Sequence, residues 1–321
     1  LVVAPGDPDA VPREVTRFTR VAVRDHLALA DAVAVADAAD YAHEGWAGGH
    51  GRIGALAAVG AWAAFDEWTY ERLVYRPRER WGTARDVDES SVFVAAADAY
   101  PAAWDTVDRA ADEAVCVPAT LGPVLFGIRG DGTATVERVA ERVAHEPHER
   151  AATFHTNQGT DAHLRIAALA AVEGGRSYRV GATVATDPET RTGGHVHLTL
   201  QDGDATLPAV AFEPTKRFRD RVRALRAGDT ITACGEVGLG TLKLEKFAVR
   251  NLVRTELVVP TCSDCGRSMS SAGADAGYRC RDCGAERDDK VERPVERDLE
   301  QGWYEVPPRA RRHVAKPLVR G

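Results

Sequence analysis

Four cysteines in the last quarter of the chain are spaced as metal ligands are. Cys262 and Cys265 form one C-x-x-C pair, and Cys280 and Cys283 form a second pair after fourteen intervening residues. Two such pairs supply the four thiolates of a tetrahedral zinc site, and this spacing is typical of a zinc ribbon. Because four protein ligands leave no position for water, we expect these cysteines to hold a structural Zn²⁺.

A polar segment at residues 156–164 directly follows a predicted strand. It groups hydroxyl, amide, carboxylate and imidazole side chains, contributed by Thr156, Asn157, Gln158, Thr160, Asp161 and His163. Such a group can hold a polar or cationic ligand through hydrogen bonds and one carboxylate charge. The alternative is a helix N-cap formed by Thr160 or Asp161, and the residues alone do not decide between the two.

A glycine-dense loop covers residues 44–54 and contains G-x-G-x-x-G. Where such a loop opens a helix, its backbone N–H groups can bind a phosphate. The residues concerned are Gly51, Arg52, Ile53 and Gly54. A helical Ala/Asp stretch precedes the loop, so the strand-turn-helix context of a dinucleotide site is missing. A phosphate loop and a plain turn between helices therefore stay open as equal alternatives.

Two cationic stretches interrupt an acidic chain, which has 41 Lys and Arg against 48 Asp and Glu and a net charge of −7. Residues 214–226 carry six positive charges and one negative, and residues 306–321 carry five positive charges and no acid. A solvated helix face is the usual interpretation of such a run. Two unneutralised runs favour contact with an RNA backbone instead. The cations predicted to bind RNA are Lys216, Arg217, Arg219, Arg223, Arg309, Arg311, Arg312 and Lys316.

The elements that must position these residues predict an α+β protein of several domains. Residues 1–113 are helix-rich, and residues 114–170 form a strand-helix-strand unit that fits half of a split ferredoxin-like domain. Residues 174–256 contain five short strands, with a helix candidate between the third and fourth strands, which predicts an OB-fold barrel. Residues 257–290 are the predicted zinc ribbon, and residues 291–321 a basic, proline-punctuated tail.

Two further expectations concern the apolar residues. The longest apolar run, from Ile53 to Phe65, has 13 residues, fewer than the roughly 20 that span a bilayer. We therefore expect no membrane partner and, with no secretory signal, a cytoplasmic protein. The larger aromatic residues are expected in cores rather than in a base-stacking platform. They are Trp46, Trp62, Trp68, Trp81 and Trp104.

Several longer segments together carry a family resemblance. In chain order they are residues 50–58, Tyr70-Glu71 with Tyr75-Arg76, residues 81–83, 123–130, 156–164, 193–196, 212–216 and 304–313. The chain resembles the archaeal tRNA(Ile) 2-agmatinylcytidine synthetases (TiaS). The resemblance implies an ATP-dependent ligase that conjugates agmatine to C2 of the wobble cytidine in isoleucine tRNA with a CAU anticodon, so that it decodes AUA.

The resemblance also implies cofactors, partners and site residues. ATP, Mg²⁺ and structural Zn²⁺ are the implied cofactors, and CAU-anticodon isoleucine tRNA and agmatine are the implied partners, with no DNA. Residues 1–113 would be the remainder of a kinase-like domain whose loop at 51–54 contacts ATP. The polar segment would lie near agmatine, with Asp161 opposite a ligand cation. The cationic stretches would contact tRNA.

One departure from the family is large. The family begins with an Asp-Asp-Thr-Asp motif, and this chain contains no such string. We therefore expect an N-terminally truncated chain whose principal catalytic motif lies upstream of Leu1, and which is inactive or impaired on its own. A non-catalytic RNA- or single-strand-binding protein, built from OB barrel and zinc ribbon, is the alternative.

Overall fold

The first part of the chain is a small helical unit with its own apolar core. The structure is a computed structural model and describes residues 1–273 and 276–321. The elements of this unit are β1 (Val2–Val3), α1 (Arg13–Ala22), α2 (Leu29–Ala38), β2 (Ala42–His43) and α3 (Gly51–Ala64). α1 packs closely on α3, since a Cβ at Gly60 would lie 2.2 Å from Thr19 Oγ1. Thr19 Oγ1 also donates to Ala57 O at 3.1 Å.

A four-stranded antiparallel sheet with two helices follows. Its elements are β3 (Thr69–Tyr75), α4 (Glu89–Ala99), β4 (Ala103–Trp104), β5 (Val124–Gly130), α5 (Thr133–Arg142) and β6 (Arg150–Thr156). The strand order across the sheet is β4-β5-β3-β6. Val92 of α4 and Val136 of α5 pack with Leu125 and Ile128 of β5 in one buried core. We call this part the sheet unit.

The third part is a closed barrel. Its elements are β7 (Leu164–Ile166), β8 (Arg176–Val184), β9 (Glu189–Thr190), β10 (Val196–Asp202), β11 (Ala205–Ala211), α6 (Arg217–Arg223), β12 (Thr230–Gly238) and β13 (Thr241–Asn251). The order β8-β12-β13-β11-β10 is closed by pairing of β10 with β8, and β11 runs parallel to β13. Tyr178, Phe218 and Phe247 are buried in its core. The predicted five-stranded barrel, with a helix between its third and fourth strands, is confirmed.

The remaining strands belong to the cysteine region and to a segment that returns to the barrel. They are β14 (Thr255–Val258), β15 (Ser270–Ser271), β16 (Tyr278–Arg279), β17 (Glu286–Arg287), β18 (Val291–Pro294) and β19 (Gly302–Glu305). β14 pairs with β18, and β19 pairs with β13 of the barrel. Short 3₁₀ turns occur at Pro8–Ala10, Arg78–Arg80, Leu169–Ala171, Glu213–Thr215, Pro308–Ala310 and Leu318–Arg320. We call residues 302–320 the strap.

The sheet unit crosses the boundary predicted between residues 113 and 114. β3 and β4 precede that boundary, and β5 and β6 follow it. The order strand, helix, strand, strand, helix, strand within residues 69–156 is that of a complete ferredoxin-like unit, where the sequence analysis expected half of one. The reason is that β4 has only two residues and β3 carries partly buried polar side chains, so neither strand has a clear apolar alternation.

The predicted tail is likewise part of the folded core. β18 and β19 lie within residues 291–321, and the strap packs between barrel and sheet unit. In the described residues, no helix is both long enough and apolar enough to cross a membrane.

A buried ion pair ties the segment between β18 and β19 to the barrel. Arg297 and Asp229 are 2% and 0% exposed, and Arg297 Nη1 donates to Asp229 Oδ1 at 2.8 Å. Arg297 also donates to the carbonyls of Val253 and Ala224. Burial alone would raise the pKa of Asp229, but the hydrogen bonds from Arg297 and from backbone N–H groups lower it below its usual value.

Replacing Arg297 with Met is expected to destabilise the protein by about 3–5 kcal/mol, because it leaves a buried carboxylate without its partner. Arg293→Met is the matched control, since its pair with Glu256 is solvent-exposed and such pairs contribute about 0–1 kcal/mol. Urea unfolding of both variants measures the difference.

The stabilisation by this ion pair also depends on pH. Because the folded pKa of Asp229 is depressed, the contribution of the pair to stability is present above pH 3.8 and is lost as the pH falls towards the folded pKa. Equal unfolding free energies for the two variants would contradict this account.

Candidate functional site

The structure brings the four predicted zinc ligands together. The Sγ atoms of Cys262 and Cys283 are 3.3 Å apart, as are those of Cys265 and Cys280. All four sulfur atoms lie within 4.8 Å of one another. Zn–S bonds of about 2.3 Å in a tetrahedron put sulfurs roughly 3.8 Å apart, so the cluster has the ligand type, number and spacing that Zn²⁺ requires. With four thiolates, the ion would hold the two knuckles together and leave no open position for substrate.

The polar segment forms a tight connection between sheet unit and barrel. It leaves β6 after Thr156 and enters β7 at Leu164, so the alternative of a helix N-cap is wrong. Thr160 Oγ1 donates to Asn157 O at 2.6 Å, and Thr69 Oγ1 of β3 donates to Gln158 O at 2.6 Å. We call residues 156–163 the ligand loop.

Asp161 is held in a specific conformation within the ligand loop. Its φ of 59° is in the left-handed region, which Asp tolerates better than most residues. Asp161 Oδ1 accepts the Lys316 backbone N–H of the strap at 2.5 Å, and Oδ2 lies 3.7 Å from Arg179 Nη2. The carboxylate is therefore part of the link between ligand loop and strap, and it has one cation beside it.

His163 presents a neutral imidazole. Its Nδ1 lies 3.0 Å from Val23 O in the turn after α1, so Nδ1 carries the hydrogen. Burial, together with the positive charge of Arg24, holds the pKa of His163 below its usual value, although the Val23 contact acts in the opposite direction. Nε2 is thereby left as the acceptor of this ring.

The strap fixes the ligand loop from the other side. His313 O accepts the Gly159 N–H at 2.6 Å, and Arg320 Nη1 donates to Gly159 O at 2.7 Å. Arg320, whose side chain is 5% exposed, also pairs with Asp131 at 2.8 Å. These bonds hold the backbone of the loop, so its conformation is set before any ligand arrives.

An aromatic cluster beside the ligand loop was missed by the sequence analysis. Trp62 and Trp68 have ring centroids 4.6 Å apart, and His155 lies 5.0 Å from Trp62 and 4.5 Å from Tyr70. Tyr70 and His155 lie opposite each other on the paired strands β3 and β6. His155 is the residue directly before the ligand loop. Trp62 is 49% exposed, contrary to the expectation of a core position. To predict this aromatic cluster from the sequence, one would have needed to know that β3 pairs with β6.

The other tryptophans divide between surface and core. Trp46 and Trp81 are exposed, Trp68 is half-buried, and Trp104 is buried. The prediction that these tryptophans lie in a core is therefore right for Trp104 and wrong for Trp46, Trp62 and Trp81.

The glycine-dense loop lies far from the ligand loop. Residues 51–54 form the first turn of α3, whereas Trp62, near the other end of α3, contacts His155. A 14-residue helix is about 21 Å long. The N–H groups of Arg52 and Ile53 donate to the carbonyls of Gly49 and His50, so both are used within the turn. Space is open around Gly51 and Gly54, where an added Cβ would meet nothing within 4 Å.

The four cations at α6 that are predicted to bind RNA are each paired with an acid, which lies within the run, directly before it or in the sheet unit. Lys216 and Arg219 share Glu213, with distances of 2.5 and 3.4 Å. Arg223 pairs with Asp220 at 2.5 Å, and Arg217 pairs with the buried Asp108 of the sheet unit at 2.9 Å. Lys216, Arg217 and Arg223 remain at least 35% exposed, whereas Arg219 is 13% exposed.

The strap cations also have acidic partners. Arg309 pairs with Glu113, Arg312 with Glu236 and Lys316 with Glu67. Arg311 is 3% exposed and lies 2.7 Å from both Asp105 and Glu305. The premise of unneutralised charge is therefore wrong for the eight cations predicted to bind RNA, and Arg311 is enclosed by protein rather than directed to a surface.

Known proteins match most of the chain. Residues 49–163 match the TiaS FLD domain, and residues 259–299 match the TiaS C-terminal zinc ribbon domain. The 2-agmatinylcytidine synthetase TiaS of Haloquadratum walsbyi, which is named for isoleucine tRNA, is 51% identical over 79% of this chain and 63% of its own length. That of Methanosarcina acetivorans is 48% identical over 78% of this chain and 60% of its own length. The chain spans about three fifths of the length of these curated relatives.

Solved structures agree with these matches. The crystal structure of TiaS in complex with its isoleucine tRNA and ATP is 39% identical, covers 96% of this chain and 73% of the other, and superposes with a TM-score of 0.84. A complex of TiaS with isoleucine tRNA, AMPCPP and agmatine is 38% identical at the same coverage, with a TM-score of 0.82. From these identities and shared folds we conclude that the chain belongs to the TiaS family of tRNA(Ile) 2-agmatinylcytidine synthetases.

Proposed function

We propose that this chain acts in the ATP-dependent conjugation of agmatine to C2 of the wobble cytidine of CAU-anticodon isoleucine tRNA, so that the tRNA decodes AUA. The observation that carries the proposal is the agreement in sequence and fold with TiaS over nearly the whole chain. Two such TiaS structures are complexes with an isoleucine tRNA, one with ATP and the other with AMPCPP and agmatine.

The reaction divides into two tasks. ATP activates the C2 oxygen of cytidine. The primary amine of agmatine then forms the C2–N bond and loses a proton, while the C2–O bond breaks and the oxygen leaves with the activating group. We propose Mg²⁺ as the partner of the ATP phosphates, because phosphoryl transfer is chiefly stabilisation of negative charge. For residues 51–54, contact with the nucleotide would fall to Gly51 and Gly54, around which space is open. The Arg52 guanidinium could take part only through donors other than those directed at Gly49 O and His43 Nδ1.

The ligand loop is the proposed agmatine site. Its polar groups lie beside the half-exposed Trp62 and beside His155, whose rings can pack against a guanidinium. Asp161 would supply the opposite charge, in competition with Arg179 at 3.7 Å. The proposed tRNA contacts are the more exposed cations, namely Lys216, Arg217, Arg223, Arg309 and Arg312, with Arg219 and Lys316, which are 13% and 24% exposed, in supporting positions.

The alternative of a non-catalytic RNA-binding protein is not favoured. It would account for residues 174–321 alone, whereas the match to the TiaS FLD domain covers residues 49–163.

Asp161→Asn is expected to raise the KM for agmatine about tenfold or more and to leave the KM for ATP unchanged, because it removes one charge-assisted contact. Asn keeps an oxygen that accepts the Lys316 N–H and tolerates the left-handed backbone. Steady-state kinetics of a protein of the length of the TiaS relatives that carries this chain, with thermal unfolding of the variant, measure both effects. A lowered unfolding temperature with an unchanged KM for agmatine would make Asp161 purely structural.

Changing Cys262 or Cys280 to Ser is expected to abolish stoichiometric zinc and to loosen the region around β14 to β18, because three thiolates cannot close the site. Metal analysis of the purified chain gives the result. Cys116→Ala is the matched control, since Cys116 is buried in the sheet unit, away from the cluster. Full zinc content in Cys280→Ser would disprove the ribbon assignment.

Replacing Lys216 and Arg223 together with Ala is expected to weaken tRNA binding and to reduce the slope of log K against log salt by about one for each lost phosphate contact. Their acidic partners are exposed, so the fold is not expected to suffer. Arg142→Ala is the control, because Arg142 has a similar exposed pair with Asp98 on the sheet unit. If both variants kept the wild-type slope, the tRNA surface would lie elsewhere.

A further inference from the structure

One face of α1 carries a row of arginines that the sequence analysis missed. Arg13, Arg17, Arg20 and Arg24 are spaced by four, three and four residues, and all four are exposed. At 3.6 residues per turn, the first three lie within about 60° of one another around the helix axis. Arg24 follows in the turn after the last residue of α1. We call these four residues the arginine row.

The opposite face of α1 belongs to the core of the helical unit. Val15 is fully buried and Phe18 is 6% exposed, both in the apolar cluster that α1 shares with α3. Of the apolar side chains of α1, Val21 alone is more than one third exposed. A basic amphipathic helix that binds a membrane inserts its apolar face, and α1 has no such face free. The arginine row therefore fits a polyanion rather than a lipid surface.

The charge of the arginine row is not neutralised within the described part of the chain. None of its four guanidinium groups lies there within 4.0 Å of a carboxylate oxygen. Asp25, the next residue along the chain, pairs instead with Arg165 and Arg176 of the barrel. Residues 13–24 hold four arginines and one acid, Glu14, so their net charge is +3 in a chain whose net charge is −7. The eight cations predicted from the sequence, in contrast, all have acidic partners.

This arrangement is unfavourable for the helix alone. Residues three or four positions apart are neighbours on a helix surface, and like charges at that spacing repel each other. Arg17 has such a neighbour on each side, Arg13 and Arg20. The folding of α1 therefore gives no reason for the row, whereas an anionic partner would relieve the repulsion.

The arginine row runs towards the ligand loop. Arg20 Nε donates to Ala64 O at the end of α3 at 3.1 Å, and Arg24 Nε donates to Ala162 O next to the ligand-loop residue His163 at 2.8 Å. These bonds use the Nε groups, and the Nη groups of both arginines have no partner among the described residues. Along α1, Arg13 to Arg20 is a rise of about 10 Å, which spans more than one phosphate of a nucleic-acid strand.

An exposed aromatic ring lies near the end of the row. Trp62 precedes Ala64 by two residues, is 49% exposed and contacts His155. Base–aromatic stacking together with a cationic track along the backbone is how proteins hold single-stranded nucleic acid. An RNA strand supplies both phosphates and planar bases, whereas an acidic peptide supplies only the charge. RNA is therefore the polyanion that this part of the surface fits best.

We propose that the arginine row binds successive phosphates of an RNA strand and holds that strand against α1 beside the ligand loop. Guanidinium groups hold phosphates through charge-assisted and often bidentate hydrogen bonds. The identification of the strand as part of a tRNA rests on the proposed function, whereas the binding of RNA by the row does not.

The direct test is equilibrium binding of an unstructured oligoribonucleotide of about ten nucleotides to the whole chain, over a range of salt concentrations. The variant replaces Arg13 and Arg17 with Ala, which leaves the backbone contacts of Arg20 and Arg24 in place. At about 0.1 M salt its affinity should fall about tenfold, and the slope of log K against log salt should decrease by about 0.7 for each lost phosphate contact.

The matched control replaces Arg138 and Arg142 with Ala. These two arginines are exposed and four residues apart on α5 of the sheet unit, so the same charge is removed at the same spacing, and binding should stay that of the wild type. An unchanged slope in the α1 variant, an equal loss in the control, or no saturable binding by the wild type would overturn the proposal.

A second variant separates the charge of the row from helix packing. Replacing Arg13 and Arg17 with Lys keeps the charge, so the wild-type slope should be retained. The unfolding temperature of the Ala variant should not fall, because a repulsion has been removed. A lowered unfolding temperature, together with equal losses of affinity in the Ala and Lys variants, would make the row structural and overturn the proposal.

Competition tests the class of partner. Excess unlabelled RNA should displace the oligoribonucleotide, and polyglutamate of the same total charge should displace it only weakly, because it offers no bases to stack. Equal competition by both would assign the row to acidic proteins instead of RNA.

Kinetics test whether the strand belongs to tRNA. In a protein of the length of the TiaS relatives that carries this chain, the Ala variant should raise the KM for CAU-anticodon isoleucine tRNA about tenfold and leave the KM values for agmatine and ATP unchanged. An unchanged KM for tRNA would overturn the assignment to tRNA. If the wild type transferred no agmatine, the proposed function would fail, and the oligoribonucleotide experiments would still decide whether the row binds RNA.

Discussion

Two buried arginines of the strap determine how the sheet unit and the barrel fit together. Arg311 lies between Asp105 of the sheet unit and Glu305 of the strap, and Arg320 reaches Asp131 of the sheet unit. Both side chains are at most 5% exposed. A buried cation that loses its partner is strongly destabilising, so both arginines stay with their acids. Because the strap is also paired with β13 of the barrel, it fixes the position of the sheet unit relative to the barrel.

This constraint passes directly to the ligand loop. The loop connects β6 to β7, and its Gly159 is bonded on both sides by His313 and Arg320 of the strap. The strap therefore shapes the proposed agmatine site although Lys316 follows Asp161 by 155 residues in the sequence. Its Arg312 also lines a cavity where the strap meets the barrel, so this one segment contacts the ligand loop and the barrel surface.

Local patterns were sufficient for part of this arrangement. The cysteine spacing predicts the metal cluster, and alternating apolar residues predict the five barrel strands, because both depend on neighbours within a few positions. The ion pairs could not be predicted in this way. Arg217 meets Asp108 across 109 residues of sequence, so a run that looks unneutralised in the sequence is paired in the fold.

Other features were hidden for related reasons. β3 lacks a clear apolar alternation, and its role at the centre of the sheet unit depends on pairing with β5 and β6. Whether Trp62 is exposed depends on where the end of α3 lies relative to His155 of β6. In the sequence, Glu245 looks like an ordinary strand residue. That it has no partner residue on β12 follows only from the β-bulge opposite Cys234 and Gly235. In each case the missing information is tertiary contact rather than local propensity.

The central claim is tested most directly by the transfer of labelled agmatine to tRNA, with ATP and Mg²⁺, by a protein of the length of the TiaS relatives that carries this chain. The account predicts ATP-dependent label in CAU-anticodon isoleucine tRNA and none in methionine tRNA, which has the same anticodon. Absence of label from the isoleucine tRNA, or equal labelling of both tRNAs, would contradict it.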